Sequence, residues 1–194
     1  KEGSQMNVTG AGVLDVNGEI TFATDSAAHV IKVVDGTLQL HKSIIAPAIN
    51  QIALTVDSAG VLKTGNNSIG ASSVLINGTV EGGGTYANTF SLTSDDAILK
   101  LKVFGFEEGN YEYVDALGDI SIKKGTIDIA VSGLLVGSKQ ITILKAGGNY
   151  DILDNMEFVK VLVNGQDITG NTAETEVPDG GGIFYFDPET GVLG

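Results

Sequence analysis

The sequence contains no cysteine, no tryptophan and no arginine, so its 11 basic residues are all lysine. The absence of cysteine excludes disulfide frameworks, thiolate nucleophiles, CxxC redox pairs and cysteine-ligated zinc. Only 3 prolines occur in 194 residues. No apolar run reaches the roughly 18 residues that a transmembrane helix needs. We therefore expect no transmembrane segment in this chain.

Acidic residues outnumber basic residues by 24 to 11, which gives a formal net charge of −13 and a pI of about 4.3. A chain this acidic repels a phosphate backbone, so no nucleic acid partner is expected. The apolar fraction of 42% and the mean hydropathy of +0.19 are typical of one folded domain with a buried core. The acidic, cysteine-free composition, with 27 glycines, predicts an extracellular or bacterial cell-surface location.

Apolar runs recur along the chain at a nearly constant interval. They begin at Val30, Ile52, Val74, Ile98, Ile120 and Ile141. A second series starts with glycine and a short alternating run, and its first four members are evenly spaced, at Gly12, Gly36, Gly60 and Gly84. This self-similarity indicates a repeat architecture with a unit of about 22 to 24 residues.

The runs within each unit have the pattern of β-strands. In Gly36–Leu40 and Gly125–Val131 every second residue is apolar, which places one face of the strand on a core and the other in water. Asn-Gly and Asp-Gly pairs between the runs favour tight turns. Frequent glycine and β-branched residues disfavour helix, and we expect at most one helical turn, around 42–52. The predicted fold class is all-β.

Two all-β architectures accommodate a unit of this length. In a single-stranded parallel β-helix, or β-solenoid, each unit is one coil of about 22 to 24 residues, and equivalent strands stack in parallel about 4.8 Å apart. In a β-sandwich, each unit is instead a hairpin. The fixed place of the recurring glycine within the unit favours the solenoid, and unit lengths that differ by only about two residues favour it as well.

The pattern changes after residue 148. The segment 149–194 contains a denser apolar strand and then a polar stretch, 166–182. Because the last coil of a solenoid exposes unpaired backbone groups and apolar core, its end needs an atypical cap. We predict solenoid coils over 1–148 and a C-terminal capping region of the same domain over 149–194. An open β-helix end would favour self-association.

Three segments near the C-terminus carry a resemblance to a known group of proteins. They are GLLVGSKQITILKAGGNYD (133–151), NMEFVKVLVNGQ (155–166) and FDPETGVL (186–193). This part of the chain resembles the end of the β-helical passenger regions of bacterial autotransporter and adhesin-like surface proteins, although Glu157-Phe158 replaces the usual Gly-x-Phe step. The resemblance implies a parallel β-helix on the cell surface, and it assigns no functional residues.

Candidate catalytic residues are few. His29 and His41 are the only imidazoles, and neither lies in a nucleophile or metal-binding spacing. The acid pairs Asp95–Asp96 and Glu107–Glu108 cannot each form a glycosidase dyad, because neighbours in a strand point to opposite faces. The absence of arginine also removes the usual partner of anionic sugars. We predict a protein without catalytic activity, with a carbohydrate-active β-helix, either a polysaccharide lyase or a glycoside hydrolase, as the alternative.

One metal site is suggested by the repeat. Asp35, Asp57 and Asn77 follow successive apolar runs at nearly equal intervals. In stacked coils their oxygens would form one column, where like charges repel unless a hard cation lies among them. These residues are candidate calcium ligands, with turn-forming Asp and Asn side chains left in water as the alternative, and no other cofactor is expected.

Tyrosines suggest a ligand-binding surface. Tyr86, Tyr111 and Tyr113 open strands of the glycine-led series, and in stacked coils their rings could form an aromatic ladder that suits a sugar. The alternative is that these rings pack in the core or at its edge. The predicted function is a non-catalytic structural or adhesion module that presents loops on a rigid β-helix to a host or cell-surface glycan or protein. A β-sandwich subunit of a surface assembly is a further alternative.

Overall fold

The fold is described from a computed structural model, which covers residues 3–22, 28–46, 52–132, 139–170, 175–177 and 182–194. These residues form short β-strands, numbered here in chain order, and one 3-10 turn at Leu153–Asn155, with no α-helix among them. The all-β prediction is therefore confirmed. The predicted helical turn is wrong for its described part, because Ile44–Ile45 is a strand, and 47–51 lie outside the described residues.

The first sheet, called sheet 1, is parallel throughout. In spatial order it contains β1 (Gln5–Val8), β4 (His29–Val33), β7 (Ile52–Val56), β9 (Ser73–Ile76), β12 (Thr89–Leu92), β15 (Ile120–Ile122) and β19 (Tyr150–Asp151). Each neighbouring pair is in register, as in Ile31 with Leu54 and Leu54 with Val74. The alternating sequence of each strand thus stacks apolar side chains on the same face.

The second sheet, sheet 2, has the same construction. Its parallel strands are β2 (Val13–Val16), β5 (Thr37–Leu40), β8 (Val61–Lys63), β10 (Thr79–Glu81), β13 (Ile98–Val103), β16 (Gly125–Val131) and β20 (Val159–Val163). A final strand, β21 (Gln166–Asp167), pairs antiparallel with β20. Parallel pairing thus extends to Val163, and chain reversal begins after it; the division at 148/149 stays a prediction.

The third group of strands, sheet 3, consists of β3 (Ile20–Thr21) with β6 (Ile44–Ile45), and of β11 (Gly84–Tyr86), β14 (Val114–Ala116) and β18 (Leu144–Ala146). All of these pairs are parallel, and Ile69 bridges Ile44 to Tyr86 between the two parts. Consecutive strands visit successive sheets: β9, β10 and β11 belong to sheets 1, 2 and 3, and β12, β13 and β14 repeat that order. Parallel neighbours exclude the hairpin unit of a β-sandwich for these strands, because a hairpin pairs antiparallel.

The core is built from columns of aliphatic side chains, one per sheet position. In sheet 2 one inward column runs through Leu14, Leu38, Leu62, Val80, Leu99, Ile127 and Val161. Every member except Leu14 is fully buried, whereas Leu14 in the first strand is 43% exposed. Each strand therefore needs its neighbour to cover its apolar face.

The constant unit length predicted from the sequence is wrong. Residues aligned across neighbouring strands of sheet 2 define the length of each step in sequence. The step from Val13 to Thr37 equals the step from Thr37 to Val61, but the next step, from Val61 to Thr79, is distinctly shorter. The step to Ile98 is short as well, whereas the step from there to Thr126 is longer than any before it. Only the first two steps have the predicted length, since loops at the corners between sheets are lost and gained further along the chain.

The glycine series is confirmed at Gly12, Gly36 and Gly60, whose carbonyls accept hydrogen bonds from the neighbouring strand of sheet 2. The fourth member is Gly78 rather than Gly84, which opens a strand of sheet 3 instead. A Cβ atom at Gly36 would lie 2.6 Å from the carbonyl oxygen of Gly10, and one at Gly78 would overlap the carbonyl oxygen of Asp57. Glycine is needed at this corner because the backbone of the preceding coil lies against it.

The two ends of the stack differ. At the N-terminal end, β1, β2 and β3 each have a neighbour on one side only among the described residues. At the other end, Ile168 donates its N–H to the carbonyl of Val161, and Thr169 Oγ1 accepts the N–H of Val161 at 2.8 Å, so the edge of β20 is covered. Two further groups of strands pair antiparallel. One contains β17 (Ile141–Thr142), β25 (Val192–Leu193) and β24 (Phe186–Asp187), and the other contains β22 (Thr175–Val177) and β23 (Gly182–Phe184).

The described residues contain no helix that is long enough and apolar enough to span a bilayer.

Candidate functional site

A charged cavity lies at the corner where the chain passes from sheet 2 to sheet 3. Its volume is about 350 Å³. Three lysines, two glutamates and two glycines line it: Lys63, Lys100, Lys102, Glu81, Glu112, Gly65 and Gly82. This set is called the lysine cavity below. It collects three of the chain's 11 lysines in a protein whose net charge is −13.

The register of sheet 2 brings the charges together. Glu81 on β10 lies directly between Lys63 on β8 and Lys100 on β13, and all three point away from the core. One oxygen of Glu81 is 3.0 Å from the Lys63 ammonium, and the other is 3.8 Å from that of Lys100. Glu81 thus neutralises Lys63 well and Lys100 weakly, since an ion pair between half-exposed groups weakens with distance.

Two glycines line the lysine cavity at positions where a side chain would not fit, since a Cβ atom at Gly65 would lie 2.9 Å from the carbonyl oxygen of Leu40 and one at Gly82 would lie 2.7 Å from Thr64 Oγ1. Gly65 and Gly82 have φ angles of +58° and +94°, in the region that favours glycine. Buried Thr64 fixes the turn, because its hydroxyl donates a hydrogen bond of 2.6 Å to the carbonyl of Gly83. The amide of Gly83 donates to Asn66 Oδ1 at 3.0 Å. Hydrogen bonds between the turns that follow β8 and β10 therefore hold the backbone beside the lysine cavity.

One wall of the lysine cavity comes from the loop 104–113. Strand β10 ends at Glu81, so Lys102 has no partner in that strand. The loop folds back beside β13, where Glu112 donates its N–H to the carbonyl of Lys102 and accepts the N–H of Lys102 on Oε2, both at 2.8 Å. Glu112 therefore takes the place of the missing neighbouring strand and turns its carboxylate toward the lysines.

The electrostatics of Glu112 are unusual for a surface acid. Partial burial raises the pKa of the Glu112 carboxyl, and the nearby carboxylate of Glu81 raises it further. The N–H of Lys102 and the charge of its ammonium act in the opposite direction. The described residues give Lys102 no ion pair of its own. The lysine cavity can therefore offer ammonium groups to an anion, with a carboxylate at its wall that is easier to protonate than usual.

The predicted calcium ligands make separate contacts. Asp57 and Asn77 occupy equivalent positions after β7 and β9, but register aligns them with Val34, so Asp35 is displaced by one residue. Asp35 accepts the N–H of Gly10 at 2.6 Å. Asp57 pairs with Lys32 at 3.0 Å, and Asn77 accepts the hydroxyl of Thr93 at 2.9 Å.

Asp35, Asp57 and Asn77 therefore make different polar contacts, and of the three only Asp57 and Asn77 occupy aligned positions. In the described part of the chain, no three His, Cys, Asp or Glu side chains are grouped so that they could hold a metal ion. The calcium site stays a prediction.

The three predicted tyrosines are divided between the core and the surface. Tyr86 is fully buried and packs against Phe90, with ring centroids 4.8 Å apart, so it cannot belong to a surface ladder. Tyr111 and Tyr113 are half-buried, and their rings lie 5.8 Å apart. They flank Glu112 in the loop that supplies the cavity wall, but they are not among the residues that line the lysine cavity.

The two histidines lie at different positions, His29 at the start of β4 and His41 directly after β5. His29 begins β4 and is buried, and its Nδ1 accepts the N–H of Ser4 at 3.1 Å. His41 is exposed, and its Nε2 lies 2.6 Å from Asp15 Oδ1. Neither histidine lines the lysine cavity.

The sequence analysis missed the residues of the lysine cavity. Lys100 and Lys102 alternate with apolar residues in ILKLKV, which marks an outward-facing pair on one strand. Their partners could not be found in the same way. Glu81 and Lys63 align with Lys100 only because the steps between these strands are shorter than the predicted repeat unit, and the sequence pattern does not show this shortening.

Comparison of the chain with protein-family models, with curated proteins and with solved structures finds no match. The resemblance to β-helical passenger regions of bacterial surface proteins stays a prediction, and residues 133–138 of its first segment lie outside the described residues.

Proposed function

We propose that the chain is a single-stranded parallel β-helix, with coils of three strands and an antiparallel C-terminal cap. The support is the continuous register of sheets 1 and 2 together with the repeated order of strands through the three sheets. A coil of this kind cannot bury its apolar face alone and gains a core only from its neighbours. The exposed Leu14 and the buried Leu38 behind it have the burial expected of a first and a second coil.

We propose that this β-helix is a non-catalytic adhesion module of an extracellular or bacterial cell-surface protein. The observation that carries the proposal is the loop 104–113, which lengthens one coil and forms the wall of the lysine cavity. In repeat proteins, insertions of this kind form loops on one face of a rigid stack, and that face is often the binding face. The partner is a host or cell-surface glycan or protein.

An array of glycans and extracellular proteins, probed with the purified chain, tests this function. We expect retention on saccharides or on an extracellular protein, and no release of new reducing ends from polysaccharides incubated with the chain. Release of reducing ends, or of unsaturated products, would instead support the carbohydrate-active alternative. Failure to bind any arrayed partner would contradict the adhesion proposal.

The N-terminal end of the stack supports a second kind of contact, association with another copy of the chain. Val13 and Leu14 are 62% and 43% exposed on β2, which has a neighbouring strand on one side only among the described residues, and a second copy could pair with its other side. Sedimentation velocity over a range of concentrations tests this contact. Association should be lost in Leu14→Asp and kept in the control Leu117→Asp, since Leu117 is an exposed leucine as well, at 62%, but lies elsewhere. A concentration-independent monomer would contradict it.

A further inference from the structure

The lysine cavity has the charge and size of a site for one small anionic group. Its three ammonium groups exceed its two carboxylates by one, and Glu81 already compensates Lys63 at 3.0 Å. The excess positive charge lies on β13, where Lys100 shares Glu81 with Lys63 at 3.8 Å, and where Lys102 interacts with the Glu112 carboxylate without a direct ion pair among the described residues. Positive charge on an acidic protein attracts an anion to one place on its surface.

Lys100 and Lys102 are well placed to act together. They alternate with Leu101 on one strand, so both side chains lie on its outer face about 7 Å apart along the backbone. Between them and the loop 104–113 the surface is lined by Gly65 and Gly82 rather than by side chains. The volume of about 350 Å³ is at the lower end of the range for ligand sites, which suits a single ring with one charged substituent.

The chemistry of lysine sets the class of ligand. The sequence contains no arginine, so bidentate recognition of a carboxylate is not available, but an ammonium group binds anions as a point charge with three donors. The backbone groups of Lys102 are already taken by Glu112, which leaves the side chains to contact a ligand. Glu81 and Glu112 can accept hydrogen bonds from hydroxyl groups of the same ligand.

We propose that the lysine cavity binds a saccharide that carries an anionic substituent, a carboxylate or a sulfate ester, with Lys100 and Lys102 contacting that substituent. This proposal rests on the adhesion function and names its ligand class. It revises the expectation that a chain without arginine lacks partners for anionic sugars.

Titration of the 15N-labelled chain with three oligosaccharides, followed by NMR, tests the proposal. The probes are trigalacturonate, its neutral methyl ester and a sulfated trisaccharide. The proposal predicts that trigalacturonate or the sulfated probe shifts the amides of Gly82, Gly83 and Lys102, while the methyl ester does not. Comparison of the two acidic probes distinguishes carboxylate from sulfate recognition.

Variants then locate the contact. Lys100→Gln and Lys102→Gln should each weaken binding roughly tenfold, the effect of one charge-assisted hydrogen bond. The matched control Lys145→Gln removes a lysine that pairs with Asp115 on sheet 3 and should leave affinity unchanged. Unchanged affinity in Lys100→Gln and Lys102→Gln would overturn the proposal.

The remaining outcomes separate this proposal from the adhesion function. Equal binding of trigalacturonate and its methyl ester would overturn the anionic site and leave glycan adhesion standing. Absence of binding to every saccharide, with retention on an arrayed protein, would also overturn the anionic site alone. Absence of any partner on the array would overturn both.

Discussion

Tyr86 places a hydroxyl group in the apolar core. Its ring packs against Phe90, but its hydroxyl is buried without a hydrogen-bond partner among the described residues. Burial raises the pKa of the Tyr86 hydroxyl far above its ordinary value, so the group stays neutral. An unsatisfied buried hydroxyl costs free energy that phenylalanine would not incur.

We therefore predict that Tyr86→Phe raises the free energy of unfolding by about 1 kcal/mol, as measured by urea denaturation. Ligand binding at the lysine cavity should be unaffected, because Tyr86 does not line it. A loss of stability in Tyr86→Phe would mean that the hydroxyl has a partner.

Glu112 gives a prediction about pH. Because burial and Glu81 raise the pKa of its carboxyl, the folded protein binds this proton more tightly than the unfolded chain does. The free energy of unfolding is therefore highest, with respect to this group, below the pKa of the unfolded chain, roughly 4.3. It falls as the pH rises through the pKa of the folded protein, because Glu112 then ionises in the folded state.

Glu112→Gln keeps an acceptor for the N–H of Lys102 but has no charge. The melting temperature of this variant, relative to the parent chain, should therefore increase as the pH is raised from 4 to 7. A relative melting temperature that instead decreases over this range would show that the lysines, rather than burial, dominate the environment of Glu112.

At the scale of elements, the glycines between sheets 1 and 2 determine whether coils can stack. A Cβ atom at Gly78 would overlap the carbonyl oxygen of Asp57, whereas one at Gly12, in the same column, meets nothing within 4 Å. Gly78→Ala should lower the free energy of unfolding by roughly 2–3 kcal/mol, since the backbone of a packed coil has little room to move.

Gly12→Ala is the matched control for Gly78→Ala. It should change stability by less than about 0.5 kcal/mol, the usual range for a substitution without new contacts. Equal effects in the two variants, measured by denaturation in urea, would contradict close stacking of coils at this corner.

The cap on β20 depends on a short chain of hydrogen bonds. Thr169 accepts the N–H of Val161, and hydrogen bonds from the side chain and backbone of Thr169 lower the pKa of the Asp167 carboxyl. A lowered folded pKa contributes stability above the unfolded pKa, roughly 3.9, and this stability is lost as pH falls through the folded pKa.

Asp167→Asn should therefore lower the melting temperature at pH 7, and the difference from the parent chain should disappear as the pH falls below 3. The effect should be under about 1 kcal/mol, because Asp167 is exposed and solvent screens its charge. Exposed Asp96→Asn serves as the control, and an equal loss in both variants would contradict a role for Asp167 in the cap.

The alternation of apolar and polar residues predicted the strands well, because the two faces of each strand determine this alternation within a few residues. Strands at Val30, Ile52 and Val74 indeed lie side by side in sheet 1. The same series then failed at Ile98, which belongs to sheet 2, because two shortened coils shifted the phase of the repeat. A search for a fixed repeat length cannot detect this shift. A shorter loop between two sheets changes the spacing of the strands but not the alternation of apolar and polar residues within them.

The lysine cavity could not be predicted for the same reason. Lys63, Glu81 and Lys100 lie closer together in sequence than the apparent repeat unit, so a fixed period places them at different positions of the coil. Glu112 joins them only because the loop 104–113 folds back along β13. Its position depends on tertiary hydrogen bonds that no local pattern reports.

At the scale of the whole molecule, the account rests on one continuous stack. Sheet 2 connects Val13 in the first strand to Lys160 in β20 through six parallel pairings. Because these pairings are continuous, the distance between two residues of sheet 2 depends on the number of strands between them and not on their separation in sequence.

Pulsed electron–electron double resonance between two nitroxide labels measures this distance directly. Because the sequence contains no cysteine, the labels attach only to cysteines introduced at chosen sites. In one double variant, labels at Thr37→Cys and Thr126→Cys are four strand spacings apart, which gives about 19 Å between backbones. In a second, labels at Val13→Cys and Lys160→Cys are six spacings apart, about 29 Å. The account predicts these two distances in this order, whereas equal distances, or a shorter one for the second pair, would contradict the parallel stack.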